Sequence, residues 1–278
     1  MKVLVLGGGV IGVTSAYFLN QAGHEVTVVD RQAGPAMETS FANGGQISWS
    51  AASPWAAPGM PLTALKWLFR PHSPLVLRPR FDPALWSWLI QMLRNCTAAR
   101  YVVNKERLLR VSRYSHGCLT ELRAQTGLHY DERGNGTLIL FRSQRDLDRA
   151  AAEAAWLARW RIPCRVLDRA GCLAREPGLR GAQEKIAGGL YFPADESGDC
   201  RAFTRQLAEL AERQGVRYQF GTSIERLVAH GDRIACAVTD RGELSADVHV
   251  LACGSYSPLL VRSLGIRLPV YPVKGYSV

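Results

Sequence analysis

The chain has 278 residues, of which 47% are apolar and 21% charged, the proportions of a globular protein with a core large enough for one large or two medium domains. That composition excludes a disordered chain, a collagen-like repeat and a small disulfide scaffold, and no run is long and apolar enough to read as a transmembrane helix. The net charge of +10 comes from 29 Arg and 5 Lys spread along the chain; with no basic stripe it argues against a nucleic-acid partner and leaves a general attraction to anionic surfaces, lipid headgroups included.

The first thirty residues read as one strand–helix–strand unit. Lys2 to Leu6 is an apolar strand, Gly7 to Gly12 a turn, Ile11 to Gln21 a helix closed by Gly23, and Glu25 to Val29 a second strand ending at Asp30. Met1 to Leu19 has the lysine and apolar run of a signal peptide, but its four glycines and the lack of a small-residue cleavage site fit the turn better. Residues 33–62 form an irregular, ordered loop, and residues 63–95 mix Trp67, Trp86 and Trp88 with prolines. A long helix is expected from Ala98 to Gln125, stopped by Gly127. A hairpin is expected between Leu128–Asp131 and Thr137–Arg142, and a helix capped by Ser143 runs to about Trp160. Short strands follow at Pro163–Leu167 and Gly189–Phe192, then a helix at Ala202–Gln214. The last strands expected are Val216–Phe220, Ile224–Ala229, Arg233–Thr239 and Val248–Ala252. The pattern implies an α/β fold in which a Rossmann-like domain is built from both ends of the chain, residues 1–50 and 196–278. A second domain, 51–195, is inserted and built on a mixed sheet with α+β character. The seven cysteines form no CxxC and no metal-ligand spacing, which fits reduced, mostly buried thiols, and no metal site is expected.

The chemistry begins at Gly7-x-Gly9-x-x-Gly12, which follows a strand and opens a helix. Gly7 makes the turn, Gly9 lets backbone approach a pyrophosphate, Gly12 lets helix and strand pack, and Gly8, Val10 and Ile11 complete the cofactor-binding turn. Asp30 stands 18 residues after Gly12, where a carboxylate would accept from ribose hydroxyls; it argues against a 2′-phosphate, and Arg31 beside it argues the other way. Two further segments favour FAD over NAD. The loop Thr39-Ser40-Phe41-Ala42-Asn43-Gly44-Gly45-Gln46 gathers hydroxyls and backbone N–H groups just after the ribose-binding strand. The second, 247–254, reads as a buried strand ending in Ala252, Cys253 and Gly254, small enough to lie beneath the adenosine-diphosphate half of FAD.

With VLVLGGGVIGVTSAYFL, TSFANGGQ, Phe81-Asp82-Pro83-Ala84-Leu85-Trp86, Asn135-Gly136-Thr137-Leu138, Asp195-Glu196-Ser197-Gly198-Asp199 and Leu268 to Ser277, the chain resembles the bacterial D-amino acid dehydrogenases within the wider D-amino acid oxidase and glycine oxidase family of flavoproteins. The resemblance runs from the first residue to the last. It implies FAD-dependent oxidative deamination of a D-amino acid such as D-alanine to a 2-oxo acid and ammonia, with electrons passed to a respiratory acceptor. It puts Val10, Ile11, Asp30, Arg31, Thr39, Ser40, Asn43, Gly44 and Gly45 against FAD and the backbone of Ile224 by the adenine. Gln46 and Tyr276 are placed near the flavin, no catalytic residue is assigned, and the six histidines form no constellation with Asp or Glu.

Members of that family continue well beyond the PVKGYS segment, so a C-terminally incomplete chain with an open sheet edge is expected. Between residues 64 and 94, Leu65, Trp67, Leu68, Phe69, Trp86, Trp88, Leu89 and Leu93 alternate with Lys66, Arg70, Arg78, Arg80 and Arg94, which suits either a packed domain interior or a membrane interface. The implied location is the cytoplasm, with a peripheral position on the inner face of the bacterial inner membrane as the further option. A glycine or sarcosine oxidase using oxygen and an inactive fragment are the alternative readings; the 43–45 loop and the strand at 248–252 count against a nicotinamide enzyme.

Overall fold

The computed structural model describes residues 1–68 and 81–275. β1 (Lys2–Leu6) leads through the glycine turn into α1 (Val10–Gln21), and β2 (Glu25–Asp30) returns parallel to β1, Lys2 opposite Glu25 and Leu6 opposite Val29. Both faces of β1 are apolar, as a strand buried on two sides requires. Val3 and Val5 join one core with Val13, Ala16, Val26 and Val28, while Leu4 and Leu6 join a second with Val29, Leu227 and Ala237.

The chain continues through β3 (Gln46–Ile47), α2 (Met60–Leu68), α3 (Pro83–Asn95) and α4 (Ala98–Thr126), then β4 (Thr137–Phe141), α5 (Gln144–Ala158), β5 (Arg165–Asp168), α6 (Arg169–Arg175) and a 3₁₀ segment at Pro177–Lys185. β6 (Gly188–Phe192), β7 (Glu196–Ser197), α7 (Cys200–Arg213), β8 (Arg217–Phe220), β9 (Ile224–His230), β10 (Arg233–Thr239), β11 (Gly242–Leu244), β12 (Val248–Leu251) and α8 (Ser257–Val261) complete it. Local chemistry sets the helix ends. Asp82 accepts from the N–H groups of Ala84 and Leu85, Thr97 from Arg100, Ser143 from Asp146, and Gly127 closes α4 at φ +65°. Among the described residues no helix is long and apolar enough to cross a membrane.

The largest sheet has the order β12-β1-β2-β8, all parallel, so its strands come from the first thirty residues and from 217–251. α1 and α7 pack together on one face, and the antiparallel sheet β11-β10-β9 with α8 lies against the other. A separate antiparallel sheet, β4-β6-β5, carries α5 on one face and α6 on the other, where added Cβ atoms at Gly188 and Gly189 would strike Leu147 and Cys172.

Four expectations are corrected. No hairpin joins 128–131 to 137–142: β4 pairs with β6 instead, and Arg133 bridges to Ser197, because the long-range partner offers five paired residues where the local turn offers none. β12 is an edge strand, half-exposed along its length, and not a buried one. Two cysteines, Cys172 and Cys236, are buried and the other five half-buried; all seven are free thiols. Two histidines do meet carboxylates, His129 with Glu132 at 3.0 Å and His116 with Glu196 at 3.4 Å, the second across 80 residues that only the fold brings together. α2, α3, α6 and the 3₁₀ segment lie outside the expected elements: prolines at 71, 74 and 79 crowd the stretch that holds α2 and α3, and α6 and the 3₁₀ segment are short and carry glycines.

His116 belongs to a polar web that ties residues 46–50 to α4 and the β6–β7 turn. Arg123 grips Glu196 with two N–H groups at 2.6 and 3.2 Å, and Trp49 stacks on His116 at 4.8 Å. Trp49 donates to the Ala194 carbonyl, and the N–H and hydroxyl of Ser50 both donate to Oδ1 of the fully buried Asp195. Arg123 holds the Glu196 carboxyl below its ordinary value of 4.5, against the upward pull of burial. The pair therefore stabilises the fold above that value, and its contribution is lost as pH falls through the lower, folded-state value. Glu196→Gln should destabilise the chain by about 2 kcal/mol at neutral pH, less than a fully buried pair because Arg123 is partly exposed. It should also weaken the acid dependence; equal urea midpoints for the two chains across the acid range would contradict this.

Candidate cofactor site

The site is built where β1 meets α1. Gly7 has φ +111° and donates to the Val29 carbonyl at 2.8 Å, and a Cβ there would lie 2.5 Å from the Ala252 oxygen on the strand behind. A Cβ at Gly12 would lie 1.8 Å from the Gly7 oxygen. Both positions therefore admit only glycine without movement of backbone. Gly9 is the N-cap of α1 and supplies no side-chain acceptor, and the first turn holds no acidic residue. Ser40, buried, accepts from the Val10 N–H at 3.0 Å. The helix thus presents its positive end with no carboxylate from its own first turn to neutralise it.

Asp30 stands opposite. Its Oδ2 accepts from the Gly8 N–H at 2.6 Å and its Oδ1 from the Gln32 N–H at 2.8 Å. Each oxygen keeps a lone pair for a further donor. Arg31 turns away from this carboxylate: its Nε donates to Glu38 at 2.8 Å and its guanidinium lies 4.1 Å from the Tyr256 ring centre. Its charge is matched by Glu38, whose carboxyl stays below its ordinary value through hydrogen bonds from Gln32 and Arg31 that outweigh burial. The guanidinium expected to temper Asp30 is therefore already paired.

The loop after β2 is shaped by local hydrogen bonds. Asn43 Oδ1 accepts from the Gly45 N–H at 2.9 Å, and Asn43 Nδ2 reaches the Thr39 carbonyl at 3.5 Å. Gly45, at φ +58°, accepts from the Gly198 N–H at 2.8 Å, and a Cβ there would strike the Gly198 oxygen. Gln46 pairs with Ser197 in the short β3–β7 ladder. Thr39, Asn43, Gly44 and Gln46 are exposed. Val10, Ile11 and residues 43–46 line one wall of an apolar cavity of about 1100 Å³, whose other walls include Phe18, Leu119, Tyr130 and Phe203.

The fold brings Gly7 to Gly12, Asp30 and Ser40 to one end of the parallel sheet, with Asn43 to Gln46 beside them. Ile224 opens β9 two residues after Thr222, whose N–H donates to the Asp30 carbonyl at 3.0 Å, and the Ile224 side chain packs into the second core. The Cys253 thiol donates to the Leu6 carbonyl at 3.1 Å, and burial pushes it up to about 11, so it pins two strand ends together and is no nucleophile. Gly254, at φ +53°, starts the short turn that carries Tyr256. Tyr276 lies outside the described residues. Glu38 and Tyr256 escape sequence reading because their partner Arg31 lies in loops with no period to follow. A bound FAD passes the test this geometry sets: Gly7 and Gly12 seat the start of α1 at the end of the sheet, the helix end is positive, and a carboxylate with spare lone pairs stands beside it.

Comparison with known proteins agrees. A family model described as FAD dependent oxidoreductase matches residues 2–278. The chain is 57% identical over 278 residues to a D-amino acid dehydrogenase of Bradyrhizobium diazoefficiens and 58% identical to one of Allorhizobium ampelinum, covering 100% of this chain and 66% of each relative. It therefore spans about two thirds of the length of the curated relatives it matches. Among solved structures it is similar to an L-proline dehydrogenase from P. horikoshii (TM-score 0.66, 16% identity, 95% of this chain and 56% of that one). A glycine oxidase from Geobacillus kaustophilus is likewise similar (TM-score 0.65, 20% identity, 96% of this chain and 59% of that one). At those identities the two structures speak for the fold alone. The chain belongs to the family of FAD-dependent oxidoreductases.

Proposed function

We propose that this chain carries the FAD-binding half of an enzyme that deaminates D-amino acids oxidatively to 2-oxo acids and ammonia, passing the electrons to a respiratory acceptor. The observation that carries the reading is the positive N-terminus of α1 at the glycine turn, which holds no acid of its own and is met by Ser40 at Val10 alone, set opposite Asp30, in a chain 57% identical to a named D-amino acid dehydrogenase. When bound, FAD supplies the two-electron acceptor for the reaction.

The chain's own residues bind and orient. The N–H groups of Ile11 and Gly12 and the dipole of α1 receive the diphosphate, and Ser40 keeps the loop against the helix through Val10. Asp30 accepts from the ribose, held in place by Gly8 and Gln32. Residues 43–46 lie between the glycine turn and the apolar cavity whose wall they share, and that apolar lining would receive the ring system. Cys253 and Gly254 lie beneath the nucleotide, and the backbone of Ile224 meets the adenine. Residues 1–50 and 196–278 form the FAD-binding domain and 51–195 the substrate domain.

The same reading places the protein in the cytoplasm, peripheral on the inner face of the bacterial inner membrane. Trp67 and Trp88 are half-buried, Trp88 against Tyr271, and do not form the contact surface. Support comes from the outer face of α3, where Trp86, Ile90 and Leu93 are 48%, 49% and 53% exposed at helical spacing, with Leu65 and Lys66 exposed on α2 and Arg94 at the end of α3. Phe69, Arg70, Arg78 and Arg80 lie outside the described residues.

Two measurements test this. Chain loaded with FAD and mixed anaerobically with D-alanine should lose its flavin absorbance near the visible maximum; bleaching by glycine or L-alanine with none by D-alanine would contradict the substrate class. Pelleting with liposomes of anionic lipid should fall about tenfold when Ile90 and Leu93 are both changed to Ser, since each buries apolar area in the interface. Unchanged pelleting would remove the membrane reading and leave the FAD site untouched.

A further inference from the structure

We propose that a second cavity, on the α5 face of the β4-β6-β5 sheet, binds an apolar α-amino acid as its zwitterion, apart from the cavity at the glycine turn. The cavity holds about 410 Å³, within the range of small-molecule sites. Phe141, Leu190 and Phe192 make an apolar floor for a side chain. Its rim carries one cation between two anions on α5: Arg149, with Asp146 three residues before it and already paired with it, and Glu153 four residues after, a neighbour by one helical turn. An α-amino acid offers a carboxylate and an ammonium on one carbon with the side chain directed away, which matches a paired rim above an apolar floor.

The rim charges are held and still have capacity. Among the described residues, Arg149 spends only Nη1, on Asp146 at 3.4 Å, which leaves Nη2 and Nε for a carboxylate. Glu153 is paired through Oε1 with Lys105, a lysine only 1% exposed, and its Oε2 can accept from an ammonium. Lys105 lies 4.6 Å from the ring centre of Trp156 and 5.6 Å from that of Tyr101, which itself lines the cavity. Burying a lysine is costly unless its charge is used. Here it fixes the Glu153 carboxylate at the rim and adds a cation behind it, so Asp146, Arg149, Glu153 and Lys105 leave the site neutral overall. A neutral site with separated charges prefers a zwitterion to an anion or a cation alone.

The test is calorimetric titration of the full 278-residue chain, without FAD, with D-leucine, 4-methylpentanoate (no amine) and 3-methylbutylamine (no carboxylate). D-leucine should bind more tightly than either fragment. Arg149→Met, at a side chain exposed enough to leave the fold intact, should weaken D-leucine by about tenfold and leave 3-methylbutylamine unchanged. Glu153→Gln should weaken D-leucine and leave 4-methylpentanoate unchanged; should that variant unfold, Arg149→Met decides alone. Absence of D-leucine binding, equal affinity for D-leucine and 4-methylpentanoate, or indifference to Arg149→Met would each overturn the assignment. Because the titration uses no flavin chemistry, failure of the proposed deamination would leave its result standing, and the reverse holds too.

Discussion

Everything at the cofactor site depends on one close approach of backbone to backbone. The Gly7 turn passes so near Ala252, and Gly12 so near Gly7, that any side chain at either position would collide with carbonyl oxygens. This contact sets the start of α1 directly over the ends of β1 and β12. With glycine at its N-cap and no acid in its first turn, α1 gives up only the Val10 N–H, to Ser40, and keeps its positive end. A helix that capped itself with Ser or Asp would be more stable as a helix and less fit to receive a diphosphate. The site gives up a local stabilisation at the point where a ligand can replace it.

The second constraint is the web around Asp195 and Glu196. Residues 39–46 can line a cofactor path only if the segment that follows them is fixed, and that segment lies far in sequence from what fixes it. Ser50 is tied to Asp195, Trp49 to Ala194 and His116, and Gln46 and Ile47 to the β7 ladder. Arg123 and His116 converge on Glu196 from α4. Through these contacts residues 46–50 are held between α4 and the turn from β6 to β7. The His116–Glu196 contact is thereby explained as part of the scaffold without any role as a catalytic base.

The parallel core was legible because its signals are short-range. A strand of alternating valines and leucines, three glycines at fixed spacing and an acid closing the next strand need no distant partner to be read. The long α4 was equally clear, since Thr97 and Gly127 mark its ends. What stayed hidden is long-range. β4 has the turn sequence of a hairpin, yet its partner is β6, fifty residues on. Glu38 and Tyr256 flank Arg31 from two loops, and Lys105 meets Glu153 across two helices; opposite charges without a period between them leave no trace in the sequence. The strand at 248–251 has the composition of a buried strand, but composition does not tell an edge from a centre.

The claim that the positive end of α1 is the diphosphate seat is tested most directly by Gly9→Asp. Gly9 has an ordinary extended conformation, and the nearest atom to an added Cβ is the Ser40 hydroxyl at 3.3 Å, so aspartate can be accommodated with a small shift of that side chain. As an N-cap it should hold or raise the melting temperature of the chain. As a charge set on the helix end it should weaken FAD binding by about 100-fold or more, measured by flavin fluorescence titration at low ionic strength. A variant as stable as the parent that binds FAD equally well would show that the diphosphate sits elsewhere.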